Sequence, residues 1–485
     1  MKNINEVYEK INRPIKVIQF GEGNFLRAFA DWMIDILNEK TDFNGNIALV
    51  KPITMGSLER FYKQDCLYTV LLRGKNGGKT VNESRVITSI QSAVSCEEED
   101  KMNELSKLDS LRFVISNTTE AGIVFKEDDH IEGLPDSFPG KVTKFLYQRF
   151  VYFGGDKSKG LIFLPVELIE NNGKKLLECI LKLCDLWNLP ESFKAWIKES
   201  NIFCNTLVDR IVTGYAKDEA ESIFESLGYR DELLDIGEPF GLWVIEGDER
   251  VKKELPFEKA SLPVVFTNDL KPYRERKVRI LNGAHTSGSL IGYLSGLDIV
   301  RDCMEDKSVG SFMRSVIEKE IAPLISLPKE EVNAFTLSVL ERFENPFLDH
   351  SLLSISLNSV SKWKTRVLPT FKDFYNKNGI IPKGLTFSFA ALLAFYSSET
   401  LKEDGLYATR QNGDVYTVHD DMEVLKFFSK NSKRADFVEL TAQNTAFWGE
   451  DLSKYEGFTE AVSNYLDAIL KNAADAVKAI SEELK

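Results

Sequence analysis

The first apolar, β-branched run of the chain, Lys16-Val-Ile-Gln-Phe20, stops at Gly21-Glu-Gly23. It then passes into Phe25–Glu39, where apolar residues recur at helical spacing. This pattern predicts a strand, a tight turn and a helix. A second strand-like run, Asn46-Ile-Ala-Leu-Val50, arrives about thirty residues later, the length of one strand–helix–strand unit, so a parallel sheet is expected to begin here. Leu111–Ser116 and Gly160–Pro165 are two more such runs, and each ends in a polar cluster, Asn117-Thr-Thr-Glu120 and Glu167–Gly173. Functional groups of open α/β sheets lie beyond the carboxyl ends of the strands. Both clusters, with Asn117 and Thr118 foremost, are therefore expected to line a cofactor crevice.

After about residue 285 the texture changes. Ser311–Leu327, Val332–Phe343, Leu385–Tyr396 and Glu460–Leu484 carry helical patterns with no strand-like run between them. In the last of these, Val462, Leu466, Ile469, Ala473, Val477 and Ile480 fall on one stripe, which predicts packing on a domain core, with dimerisation the lesser alternative. The fold class is α/β: an extended Rossmann-type parallel-sheet domain over residues 1–275, followed by a mostly α-helical domain over residues 276–485.

Composition narrows the function classes. With 485 residues, 43% hydrophobic and 28% charged, the chain can bury a large core and is not a disordered segment. Its 61 Lys and Arg against 74 Asp and Glu leave a charge of -13, which argues against a nucleic-acid partner. Six cysteines without a CxxC pair suit buried thiols in a reducing compartment, so no disulfides are expected. Four histidines, none at zinc spacing, predict no metal. Residues 1–12 lack the apolar core of a signal peptide, and Leu385–Tyr396 is too short for a membrane span. A cytoplasmic protein without a membrane partner, monomeric or weakly homo-oligomeric, is expected.

Two constellations carry candidate chemistry. Gly21-Glu-Gly23-Asn24-Phe25-Leu26 supplies the first two glycines of a dinucleotide fingerprint, with Leu26 at the third. In that fingerprint the first glycine allows the turn, and the second lets backbone approach a pyrophosphate at a helix N-terminus. An ordinary strand-to-helix turn is the alternative. The acid that would hold a ribose 2′-hydroxyl is missing, because Val50 is followed by Lys51-Pro52, so NAD and NADP both stay open. The second constellation is Lys271–His285, where Lys271, Arg274, Arg276, Lys277 and Arg279 place five cations in nine residues. It reads either as a solvated helix face or as an active helix. At 100° per residue Lys277, Asn282 and His285 span an arc of about 140° and can face one cavity. A buried lysine among cations has its ammonium disfavoured and suits a general acid–base, while the amide of Asn282 can donate to a developing alkoxide.

These residues resemble the mannitol dehydrogenase family, the polyol-specific long-chain dehydrogenases. The turn GxGxFxR is present as Gly21, Gly23, Phe25 and Arg27, and the signature Lys-x4-Asn-x2-His as Lys277, Asn282 and His285. Asn205–Ile211, Glu238–Val244 and Arg342–Pro346 are further family-like stretches. Within the family, Phe20–Arg27, Ser116–Gly122, Leu207–Tyr215 and Lys271–Lys277 are most similar to members that act on hexuronates. The resemblance implies a Rossmann domain, a helical domain, an active site in the cleft between them, NAD as cofactor and a small uronate or aldonate substrate. It implies that Lys277 protonates the new alkoxide, that Asn205 and Asn282 form an oxyanion hole, and that His285 holds a substrate hydroxyl. A uronate also requires a local positive site, for which Arg276, Lys362 and Arg366 are candidates; Asn172, after the Gly160–Pro165 run, is a further substrate candidate. The alternative for Lys362 and Arg366 is an i, i+4 pair on a solvated helix. Rival functions are reduction of fructuronate, oxidation of a neutral polyol, or a catalytically silent dinucleotide-binding protein, the last expected to lack the acid that Lys277 supplies.

Overall fold

In the computed structural model, which describes residues 1–118 and 122–485, the chain divides into two units. The first is residues 1–73 with 80–270, and the second is residues 74–79 with 271–485. In the first unit, strands β1 (Ile15–Phe20), β2 (Asn46–Lys51), β3 (Ile90–Ser95), β4 (Phe113–Ser116), β5 (Ile162–Pro165) and β6 (Ile202–Phe203) form a parallel sheet. Its order is β3-β2-β1-β4-β5-β6, the doubly wound order whose direction reverses beside β1. Alternate residues enter two cores. Val17, Ile47, Leu49 and Phe113 belong to one, and Ile18, Ala48, Val50 and Val114 to the other. Because β2, β4 and β5 are buried along their whole length, Ile47–Val50, Phe113–Ile115 and Ile162–Pro165 are continuous apolar runs instead of alternating ones.

Helix α1 (24–40) follows the glycine turn and contains a π-helical segment, Arg27–Asp31. Behind the turn, Asp31 accepts a hydrogen bond from the Tyr68 hydroxyl at 2.7 Å, and Asp235 lies 4.0 Å from the Arg27 guanidinium. Burial pushes both carboxyls up to about 7. Several strands lie outside the sequence expectation. Tyr68–Asn76 and Lys79–Ile87 form a hairpin. Strands β7 (Asn205–Asp209), β8 (Leu242–Glu246) and β9 (Val264–Thr267) form a small sheet with β8 in the middle, antiparallel to β7 and parallel to β9. Helix α2 (Asn172–Leu186) starts after β5.

The boundary expected after residue 275 lies after residue 270. The reason is continuity, since Lys271–Arg276, a π-helical segment Lys277–Asn282 and Gly283–Leu294 form one helix, α3 (271–294). The second unit also includes residues 74–79, where Gly77 and Gly78 N–H groups donate to Glu341 and Lys75 pairs with Glu344 at 2.9 Å. Helices α4 (Lys329–Phe343) and α5 (359–378) belong to this unit, as does the buried helix Lys383–Phe395, which packs on α3.

The second unit is not all-helical. Thr400–Lys402, Gly405–Thr409 and Val415–Val418 form an antiparallel meander. Strands of three to five residues are too short to display a period of two. The run Glu460–Leu484 is two helices, Phe458–Lys471 and Ala473–Glu483. Asn472 breaks it by adopting an extended conformation and accepting the Asp475 N–H at 3.0 Å as an N-cap. Its apolar stripe is buried on the core. The predicted helix Ser311–Leu327 is helical only from Lys307 to Leu324 and passes through a π-helical segment, Val316–Ile321. All six cysteines are buried and unpaired. Among the described residues no helix is long and apolar enough to cross a membrane.

Candidate functional site

At the carboxyl end of β1, Gly21 has φ +128°, and a Cβ there would stand 3.0 Å from the Asn117 carbonyl oxygen. Only glycine satisfies both conditions. Gly23 caps α1 in an extended conformation, and a Cβ there would meet nothing within 4 Å. The backbone at the start of α1 is therefore open to a crevice of about 430 Å³, whose walls include Gly21, Gly23, Pro52, Ile53, Asn117 and Thr118. Open N–H groups at a helix N-terminus fit a pyrophosphate. Leu26, at the third glycine position, is buried against the turn. Asn24 is exposed and its side-chain oxygen accepts from Arg27, while Phe25 stacks on Phe29 at 4.9 Å. Thr118 donates through its N–H and hydroxyl to Glu167 at 2.9 and 3.1 Å, and Ser116 donates to the same carboxylate at 3.1 Å. Thr119 and Glu120 lie outside the described residues.

Lys51, where an acid was expected, is buried. Its ammonium donates to the carbonyls of Thr54, Met55 and Gly56 at 2.9, 3.4 and 3.2 Å and lies 3.9 Å from Glu97. The charge is spent on the loop that follows β2, so it is not presented to a ribose 2′-phosphate.

Asn172 does not behave as a substrate ligand. It is buried; its amide nitrogen donates to the carbonyls of Pro165, Glu167 and Thr206, and its oxygen accepts from Gly173 and Thr206 N–H groups. Every bonding position of the side chain is taken by backbone. It ties α2 to β5 and β7 instead. On β7, Asn205 accepts the Lys174 N–H at 3.0 Å and donates to Glu246 at 2.5 Å.

In the second unit, Lys277 and Asn282 bound the π-helical segment of α3. A π turn closes i→i+5 hydrogen bonds, so residues five apart come into line, closer than the arc expected from regular α-helical spacing. Both side chains are partly exposed, whereas His285, in the following α-helical turn, is buried. The His285 ring stacks on Phe343 at 4.3 Å and meets His350 edge-on at 5.2 Å, and its Nε2 has no hydrogen-bond partner among the described residues. Burial, reinforced by His350, Arg342, Arg366 and Lys362, holds the imidazole well below its usual value. His285 is neutral at neutral pH, with one ring nitrogen a donor and the other an acceptor.

The groups that act most strongly on His285 are His350, Arg342, Arg366 and Lys362. Lys362 donates to the Ile355 carbonyl at 2.8 Å, and Arg366 lies in a second π-helical segment, Trp363–Val367, of α5. Burial lowers both below their usual values, with Arg366 adding to the effect on Lys362 and the Asp420 carboxylate opposing it. Among the described residues Arg366 enters no hydrogen bond or ion pair. The two helices meet closely, because a Cβ at Gly283 would stand 3.3 Å from the Arg366 carbonyl oxygen. Lys362 and Arg366 are both partly exposed. Arg276 is engaged elsewhere, 4.4 Å above the Phe335 ring and 3.8 Å from Glu331, and Arg279 pairs with Asp373 at 2.5 Å.

Residues 15–259 match the mannitol dehydrogenase Rossmann domain and residues 269–470 the mannitol dehydrogenase C-terminal domain. The chain belongs to the mannitol dehydrogenase family. It is 44% identical over 475 residues to the altronate oxidoreductase of Bacillus subtilis (strain 168), covering 96% of this chain and 95% of that one. It is 42% identical over 479 residues to the altronate oxidoreductase of Yersinia enterocolitica, covering 96% and 97%. The fold is that of the Pseudomonas fluorescens mannitol 2-dehydrogenase ternary complex with NAD and D-mannitol, with a TM-score of 0.69, 20% identity and coverage of 99% and 96%. A substrate-free D-sorbitol dehydrogenase structure gives a TM-score of 0.80 at 21% identity, covering 98% and 100%. Beyond the residues expected from the sequence of this mannitol dehydrogenase family member, the structure adds His350 and Arg342 around His285, and it places Glu167, from the expected cluster after β5, behind Thr118. Arg342 falls in a family-like stretch, but nothing near His350 distinguishes it from a surface group.

Proposed function

We propose that this chain interconverts D-tagaturonate and D-altronate with NAD(H), and that its second unit binds the sugar acid through Arg366 and Lys362. The observation that carries this reading is the pair of partly buried cations near His285, Lys362 and Arg366, on a helix that meets α3 where a Cβ at Gly283 would stand 3.3 Å from the Arg366 carbonyl oxygen. A neutral polyol gives such a pair nothing to neutralise, whereas a uronate brings one carboxylate. The altronate oxidoreductases at 42–44% identity support the same substrate class. The Gly21–Gly23 turn and the open start of α1 support the dinucleotide, and the spent charge of Lys51 supports NAD over NADP.

When bound, NADH supplies a hydride to the ketone carbon. Lys277 gives the proton to the resulting alkoxide and takes it back in the oxidation of altronate. Asn282 and Asn205 donate hydrogen bonds to the substrate oxygen as its charge grows. Neutral His285 holds a hydroxyl, and the Arg366 fork pairs with the carboxylate in two parallel hydrogen bonds, with the Lys362 ammonium as a second charge.

The reading is tested by Arg366→Ala. Losing a hydrogen bond to a charged group costs about 1.5–3 kcal/mol, or an increase of about ten- to a hundred-fold in KM for tagaturonate where KM reports binding. A neutral ketose such as fructose makes no such contact, so its weak turnover should hardly change. Equal effects on both substrates, or none on either, would remove Arg366 from the carboxylate site.

A further inference from the structure

Three elements converge on Asn205. It stands at the start of β7, directly opposite Glu246 at the end of β8 in the antiparallel register, where side chains of paired residues lie side by side. The start of α2 approaches from the other direction. Gly173 permits this, since a Cβ there would lie 2.2 Å from the Cys204 carbonyl oxygen. The approach brings the Lys174 N–H to 3.0 Å from Asn205 Oδ1, while Asn205 Nδ2 donates to Glu246 Oε2 at 2.5 Å. These two partners fix which end of the amide is which. In the flipped amide, a nitrogen would face the Lys174 N–H and an oxygen would face the carboxylate, so both contacts would become repulsive. In the observed orientation, one of the two N–H groups on Nδ2 is spent on Glu246, and the other has no partner among the described residues.

We propose that Glu246 is a positioning residue for the carbonyl reduction. By accepting one Asn205 N–H it holds the amide with its second N–H outward as a donor, and it prevents the carbonyl end from turning toward the substrate oxygen. Glu246 acts only through Asn205 and touches no reacting atom. Its place in the chain supports this role, for it ends a strand whose Trp243, Val244 and Ile245 are fully buried, so its backbone is held by the core. This inference rests on the assignment of Asn205 as a donor to the substrate oxygen.

The test is a double-mutant cycle on the full-length enzyme, with tagaturonate reduction followed by NADH consumption and NADH affinity measured separately by fluorescence titration. Asn205→Ala should lower kcat about a hundredfold, as loss of an oxyanion donor does. Glu246→Ala should lower kcat about tenfold, with KM and NADH affinity within about twofold of the parent. Glu246→Gln, which can still accept through Oε1, should recover most of the loss. In the Asn205→Ala background, Glu246→Ala should cost nothing further, because the residue through which it acts is gone. The proposal is overturned if Glu246→Ala lowers kcat by the same factor in both backgrounds, or if Glu246→Gln is as impaired as Glu246→Ala. Either result leaves the assignment of Asn205 standing. If Asn205→Ala itself keeps the parent kcat, that assignment falls and takes this one with it. Thermal unfolding of each variant separates these outcomes from simple loss of fold.

Discussion

Lys277 is the proposed proton carrier, and its replacement is the sharpest residue-scale prediction. Lys277→Ala should lower turnover in both directions by about 10²–10⁴, the usual contribution of a general acid–base, with NADH affinity retained. Parent turnover in that variant would end the assignment. Lys277, Asn282 and His285 are proposed because their residue types match the family signature at its spacing. The place of Asn172 was not legible, because a polar residue after a strand reads the same whether its amide faces a ligand or backbone. Here backbone takes every bonding position. Arg149 illustrates the same limit. In the helix Phe138–Tyr152 it is fully buried and donates to the carbonyls of Ser106, Leu108, Leu111 and Lys159.

Among the elements, the sheet was legible where strands are buried on both faces, since each then forms an uninterrupted apolar run. The meander at residues 400–418 and the strands β7 to β9 were less so, being short and mixed in pattern. The π-helical segments at Lys277–Asn282 and Trp363–Val367 leave no apolar periodicity to read, and they lie where the proposed proton donor and carboxylate ligand stand. That placement accords with the tendency of π segments to mark functional sites. The glycine turn makes its own prediction. In Gly21→Ala the new Cβ would meet the Asn117 carbonyl oxygen at 3.0 Å with φ at +128°, a strained backbone of order 1–3 kcal/mol. NADH affinity in a fluorescence titration should fall by tenfold or more. In the parent, NADPH should bind at least tenfold more weakly than NADH; tighter NADPH binding would show that Lys51 does reach the 2′-phosphate.

For the whole molecule, three buried carboxyls set a pH dependence of stability. Burial pushes Asp31, Asp235 and Glu320 each up to about 7, and Glu320 accepts the N–H groups of Gly384 and Leu385. Folded pKa values above the unfolded ones mean that the folded state binds more protons between about pH 4 and pH 7. Stability is therefore greatest at the acid end of that window and falls as pH rises toward 7, by at most about 1.4 kcal/mol per group for each pH unit crossed. Tm should fall between pH 5.5 and pH 8, and Asp235→Asn should flatten the fall. A Tm that rises across that interval would contradict this role of the buried carboxyls.

A dinucleotide crevice and the cations Lys362 and Arg366 together carry the proposed uronate reductase activity. Its substrate preference is read most directly by following NADH oxidation at 340 nm with the full-length protein and equal concentrations of D-tagaturonate, D-fructuronate and D-fructose. Tagaturonate should show the highest kcat/KM, with fructose lower by at least the ten- to hundred-fold that one charged hydrogen bond is worth, about 1.5–3 kcal/mol. Equal or better turnover of fructose, or no turnover of tagaturonate, would contradict the proposed function.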